Sequence, residues 1–184
     1  TFDADRSELL ATKLFTLLGL VNDWLKFAET KNAGIVGINS AALGILVSKV
    51  ADAQSISPAG WMVVRPGGTC LLVSLFAGLV SFFPLSRSPS SPSRRTGAAS
   101  EVDNLYFFGH LAGYTPVKLA ETLNDRYLNS VAPRIEEVHL ALATQVITNA
   151  RITLWKLSLF SFALVLFGAG FTLSIIGVVI IFSP

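Results

Sequence analysis

An all-α integral membrane protein is the fold class predicted by three features of this 184-residue sequence. Hydrophobic residues make up 52% of it and charged residues 14%, with a mean hydropathy of +0.59. Residues 157–184 are 28 positions without an Asp, Glu, Lys, Arg or His; about 18 apolar residues are enough to cross a hydrocarbon layer about 30 Å thick. Two shorter runs, 33–50 and 69–85, carry one charge between them. Paired as a hairpin of helices, they leave no unsatisfied backbone in lipid. The prediction is three transmembrane helices and a small cytoplasmic helical region.

Residues 1–32 read as an amphipathic cytoplasmic helix. Leu10, Leu14, Leu17, Val21, Trp24 and Ala28 alternate in steps of four and three, the spacing of a coiled-coil seam. Leu9, Phe15, Leu18 and Leu20 widen that seam. Two readings follow: a helix lying on the bilayer or on its own chain, and an intermolecular bundle.

The hairpin, residues 33–85, opens with "AGIVGINSAALGILVSKV", in which Lys49 is the only charge. Gly37, Ala41 and Gly44 fall around one face, where small side chains let a second helix come close. Asn39 sits in the apolar run and needs a partner when shielded from water, most simply across a helix interface; lining a pore is the other reading. The second crossing starts as early as Trp61 if Arg65 lies at the membrane interface.

Residues 86–100, "SRSPSSPSRRTGAAS", hold no large apolar side chain and read as a flexible linker. A helical module is expected over 101–153. Asp103 or Asn104 caps a short helix, "LYFFGHLAGY", and Thr115–Pro116 starts the next, with Thr as cap and Pro in the first turn. Val117, Ala120, Leu123, Tyr127 and Val131 mark its expected packing face, with Leu119 and Leu128 beside it. From Arg134 onward nothing breaks the helical rhythm, so one helix of about 45 residues is expected to run into the C-terminal crossing, 154–184. Such a stiff helix offers a route for coupling the module to the membrane.

Of the 14 basic residues, twelve precede the first crossing or lie between the second and third, and two, Lys49 and Arg65, lie between the first and second. The positive-inside rule then puts the N-terminus in the cytoplasm and the C-terminus on the periplasmic or extracytoplasmic side. Topology accounts for these charges, so the net charge of +2 implies no DNA or RNA partner. The single cysteine, Cys70, makes no internal disulfide and no structural zinc site.

Chemistry concentrates in "NLYFFGHLAGYTPVKLAETL", residues 104–123. His110 and His139 are the only histidines, and no HExxH, HxxEH, phosphate-loop or nucleophile-elbow pattern accompanies them. No cofactor, metal or catalytic residue is therefore expected. His110 reads as a structural hydrogen-bonding residue or a ligand contact. Tyr106, Phe107, Phe108 and Tyr114 read as packing under the short helices or as an aromatic shelf that stacks a nucleobase, with Lys118, Arg126 or Arg134 receiving its phosphate.

Taken in order, "KNAGIVGINSAALGILVSKV", the second apolar segment, "NLYFFGHLAGYTPVKLAETL" and the final apolar helix resemble the membrane effector domain of the Pycsar (pyrimidine cyclase) antiphage systems. The likeness spans roughly residues 28–171. Its most specific part is residues 104–110 with the Thr115–Pro116 helix start; Gly34, Gly37 and Asn39 support it. The resemblance implies an effector in the bacterial inner membrane, working with a pyrimidine nucleotide cyclase. Infection activates the cyclase, and cyclic UMP or cyclic CMP is the candidate activating ligand. The effector then responds and impairs the membrane, stopping viral propagation by growth arrest or death; a homo-oligomer held by the N-terminal helix and the cytoplasmic part of the last helix is the expected assembly. The insert at 86–100 is longer than a minimal connection, and no separate cyclic-nucleotide-binding fold is visible. A constitutive membrane scaffold or accessory subunit is the alternative from another functional class.

Overall fold

The computed structural model describes residues 2–53, 56–83, 103–128 and 135–182. It is all-α: α1 (Phe2–Asp52), α2 (Pro58–Val80), α3 (Phe108–Leu111), α4 (Pro116–Tyr127) and α5 (Glu137–Phe182). Among the described residues α1, α2 and α5 are long and apolar enough to cross a membrane, as a multi-pass membrane protein requires. The linker expected at 86–100 lies outside the described residues, as do Val131 and Arg134. The chain divides into two compact units, Thr1–Phe27 with Leu85–Trp155, and Ala28–Pro84 with Lys156–Pro184. Helices α1 and α5 contribute residues to both.

α1 is one uninterrupted helix of 51 residues. No proline falls inside it, and each glycine costs only about 1 kcal/mol. The amphipathic stretch and the first crossing therefore share a single element. α5 is likewise continuous over 46 residues, the length that the unbroken rhythm after Arg134 predicts.

In the first unit the α1 stripe is buried within the chain itself: Leu10, Leu14, Leu17 and Val21 are at most 2% exposed. A fully buried leucine contributes about 1.5–3 kcal/mol, so the seam is occupied intramolecularly. Helices α1 and α5 are also tied by polar bonds. Asn149 Nδ2 donates to Asn22 Oδ1 at 2.7 Å. His139, fully buried, accepts the Glu136 N–H at Nδ1, which leaves its proton on Nε2 to donate to the Ser7 carbonyl at 3.0 Å. The face of α4 is rotated from the one expected. Leu119, Ala120, Thr122, Leu123 and Asn124 are buried, whereas Val117 and Tyr127 are exposed.

The second unit is built from the spanning halves of α1 and α5 with α2. Ser57 caps α2 by accepting the Gly60 N–H at 3.1 Å, and Pro58 occupies the first turn. The helix thus begins three residues before Trp61. Arg65 folds over the Trp61 ring at 4.8 Å, consistent with an interfacial position for both. The packing between α2 and α5 depends on Gly67 and Gly170. A Cβ at Gly170 would stand 2.8 Å from the Gly67 carbonyl, and one at Gly67 would stand 2.9 Å from the Ser174 nitrogen, so only glycine lets the backbones approach this closely.

Polar bonds run through this apolar unit. Asn39 Nδ2 donates to Ser74 Oγ at 2.9 Å and to the Ile35 carbonyl at 2.8 Å; Ser74 Oγ donates in turn to the Ala163 carbonyl at 2.6 Å. One side chain from each of α1 and α2 and one carbonyl of α5 are thereby joined. Asn32 Nδ2 donates to the Ala28 and Lys156 carbonyls. The Lys156 ammonium meets Glu29 Oε1 at 2.7 Å. Between Lys31 and Lys49, α1 rises about 27 Å, which matches the hydrocarbon thickness. The outward surface is apolar, including Ile45, Phe76, Val165 and Val179, all at least 60% exposed. Gly34, Gly37 and Gly44 also face outward, with nothing within 4 Å of where a Cβ would stand, and Ala41 is exposed beside them.

Candidate ligand site

The aromatic module is set by short-range rules. Thr115 lies in extended conformation and accepts the Lys118 N–H through Oγ1, and Pro116 supplies the fixed φ of the first turn. Ahead of it the helix expected over 105–114 shrinks to four residues, Phe108–Leu111. The Asn104 side chain accepts the Tyr106 N–H at 2.9 Å, an Asx turn that diverts the backbone out of helix. Gly109 then makes room for a folded-back ring: a Cβ there would come within 2.4 Å of Phe107 Cε1.

Neighbouring aromatics take opposite roles. Phe108 is 6% exposed, 5.2 Å from Trp24 of α1 and 4.7 Å from Phe107. Phe107 is 41% exposed and meets His110 edge-on at 5.4 Å. Tyr106 is 43% exposed and packs against Tyr127 at 6.4 Å, and the Lys13 ammonium sits over the Tyr127 ring at 5.7 Å. Tyr106, Phe107 and Tyr127 thus offer partly exposed aromatic surface with a cation beside it, while Phe108 belongs to the core.

His110 is a loop-holding residue in this arrangement. Its Nδ1 accepts the Asn104 N–H at 2.9 Å, so the proton is on Nε2. Asp103 Oδ1, at 3.9 Å from the same nitrogen, is beyond hydrogen-bond reach. Asp103 instead receives the Tyr114 hydroxyl at 3.1 Å, and its carbonyl receives Arg126 Nη1 at 2.7 Å. Burial of Tyr114, then its bond to and proximity of Asp103, push the phenol pKa above its ordinary value of 10.0, with Arg126 acting the other way. Arg151 of α5 donates through Nε to the Ala112 carbonyl at 2.9 Å, closing the end of α3.

The candidate residues therefore separate. Tyr106, Phe107 and His110 come together on the 104–110 turn. Arg126 is engaged in the fold. Lys118, 54% exposed in its side chain, pairs with Glu121 at 3.7 Å. Arg134 lies outside the described residues. Sequence reasoning does not bring Tyr127 and Lys13 to this surface; 114 positions separate them, and neither sits in a motif. Among the described residues no group of three His, Cys, Asp or Glu is placed to hold a metal ion. Stacking and charge pairing, without a nucleophile or a paired base, are what this surface can do.

Residues 13–183 match the family described as PycTM, the Pycsar effector protein domain. No curated protein and no solved structure matches the chain. Effector domains of this family act on membranes without catalysis. With a match that covers nearly the whole sequence, and three helices able to cross a membrane, the chain belongs to the PycTM family of Pycsar effector domains.

Proposed function

We propose that this protein is a membrane effector that responds to a cyclic pyrimidine nucleotide, oligomerises and impairs the bacterial inner membrane in abortive antiphage defence. The observation that carries the ligand reading is the exposed aromatic surface of Tyr106, Phe107 and Tyr127, with the Lys13 ammonium over one ring. A nucleobase has a π-face that stacks on such rings, at about 1–3 kcal/mol per base. Lys13 and Lys118 supply positive charge for a cyclic phosphate. A pyrimidine nucleotide cyclase is the functional partner that makes the ligand, cyclic UMP or cyclic CMP.

In this reading residues 1–32 and 101–153 lie in the cytoplasm, and the linker at 86–100 leads from the hairpin into the second of them. Residues 33–85 and 154–184 cross the inner membrane and leave the C-terminus outside. The outward face of Gly37, Ala41 and Gly44 supports association of copies, because it is open to a neighbouring helix.

The test is reconstitution of the purified chain in dye-loaded liposomes, with cyclic UMP and cyclic CMP added separately. Dye release with one or both nucleotides and none without is the expected result. Release that ignores nucleotide, or no binding over a broad concentration range, overturns it; a constitutive scaffold would give the second outcome.

A further inference from the structure

A groove of about 220 Å³ opens on the outward side of the spanning unit, lined by Ala42 and Leu46 of α1, Leu71 of α2, and Phe171 and Ile175 of α5, with Lys49 at its rim. Its other polar lining residue, Ser174, donates its hydroxyl to the Gly170 carbonyl at 2.7 Å and offers no free proton. Among the described residues Lys49 is exposed and makes no ion pair, not even with the exposed Asp52 one turn on.

The depth of that ammonium follows from packing. Leu46 Cδ2 lies 3.5 Å from where a Cβ of Gly68 would stand. α1 and α2 run in opposite directions, so three residues onward along α1 and three back along α2 both rise about 4.5 Å the same way. Lys49 therefore shares a level with Arg65, whose guanidinium covers Trp61. Cations beside a tryptophan mark the headgroup region. The apolar lining runs from that level toward the middle of the bilayer.

We infer that this groove is a binding site for a phospholipid with a net negative headgroup. One acyl chain lies along α1 and α5, and the phosphate is held by Lys49. Hydrocarbon is the medium around the unit, and a lone ammonium at the mouth selects for negative charge. The site is independent of any nucleotide response.

Native mass spectrometry tests it, with the full chain in micelles holding equimolar phosphatidylglycerol and phosphatidylcholine of identical acyl chains and no nucleotide. Phosphatidylglycerol is expected to be retained about five-fold more, the effect of one cation at an anionic surface. Lys49→Gln, an exposed position that leaves packing intact, should erase the preference, and Lys49→Arg should keep it. Ile175→Trp, which fills the groove, should lower retention of both lipids. Equal retention by the unaltered chain, a preference that survives Lys49→Gln, or one lost only with Arg65→Gln would overturn the site.

Discussion

Asn39 and Ser74, 35 residues apart in sequence, meet at 2.9 Å inside a largely apolar unit, and the serine hydroxyl donates in turn to the Ala163 carbonyl. Three helices are held in register by two side chains. Hydrogen bonds between membrane helices contribute about 0.6 kcal/mol on average and up to about 1.7. Ser74→Ala should cost an amount in that range in a bicelle unfolding equilibrium. Adding Asn39→Ala should cost less than the two single changes summed, since both remove the same bond. Additive losses would mean that the pair is not coupled.

Lys156 and Glu29 form an unequal pair. The lysine side chain is 9% exposed and the glutamate 47%. Removing the glutamate strands a buried ammonium, whereas removing the lysine leaves a carboxylate that water can reach. Glu29→Ala is expected to destabilise by about 3 kcal/mol and Lys156→Met by well under half of that. Thermal unfolding in detergent compares them, and the reverse order would contradict the burial asymmetry.

Phe107 and Phe108 separate ligand response from folding. Phe108→Ala empties a core position against Trp24 and should cost about 3–5 kcal/mol. Phe107→Ala, at a position 41% exposed, should cost below about 1 kcal/mol yet abolish nucleotide-dependent dye release. Leakage that persists in a folded Phe107→Ala chain would remove this ring from the proposed site.

Much of this architecture is legible in sequence because it depends on local pattern. The charge-free run at 157–184 predicts a crossing, and Thr115–Pro116 predicts the start of α4. Asn39 is expected to need a partner across a helix interface, and it has one. What stays hidden is long-range or too short to be periodic. Nothing in sequence links Asn32 or Glu29 to Lys156, more than 120 positions away. A four-residue helix has no period, so spacing does not tell the exposed Phe107 from the buried Phe108. Hydropathy starts α2 at residue 69, or at 61 at the earliest. The helix continues through Pro66 and Arg65 to Pro58, with Arg65 settled on Trp61. Spacing alone puts Val117 and Tyr127 on the α4 packing face with Ala120 and Leu123, yet only the latter two of these four are buried. Tyr127 packs instead against Tyr106 and under Lys13.

Tyr114 predicts an alkaline sensitivity of the aromatic module. Its pKa is raised, chiefly by burial. A raised folded-state value means the protonated phenol stabilises the fold; that contribution is complete below the ordinary value of 10.0 and fades as pH climbs through the raised one. Tyr114 should ionise late in an ultraviolet titration. Tyr114→Phe should delete that late phase and flatten the loss of stability above about pH 10. An unchanged titration curve would dissociate the phenol from the module's stability.

Gly37 and Gly44 predict an effect on association without one on folding. A Cβ at either would meet nothing within 4 Å, and both positions face outward, so Gly37→Ile should leave thermal stability within about 0.5 kcal/mol. If copies pack through this face, the bulk should reduce crosslinked oligomers and nucleotide-dependent leakage together. Unaltered crosslinking would direct attention to another surface.

Ser40, Thr69 and Thr172 are exposed on the spanning helices, and each donates its hydroxyl to a carbonyl of its own helix, at 2.8–2.9 Å. Lipid therefore meets a surface with no thirsty donors at these positions, and a neighbouring copy gains no new bond from them. Attraction through such a surface has to come from fit between contours, which is weak at any single encounter and responds to crowding. If copies associate as proposed, copy number in the bilayer would act as a rheostat beside the nucleotide: sparse molecules would stay solitary, and denser ones would gather more readily once the signal arrives.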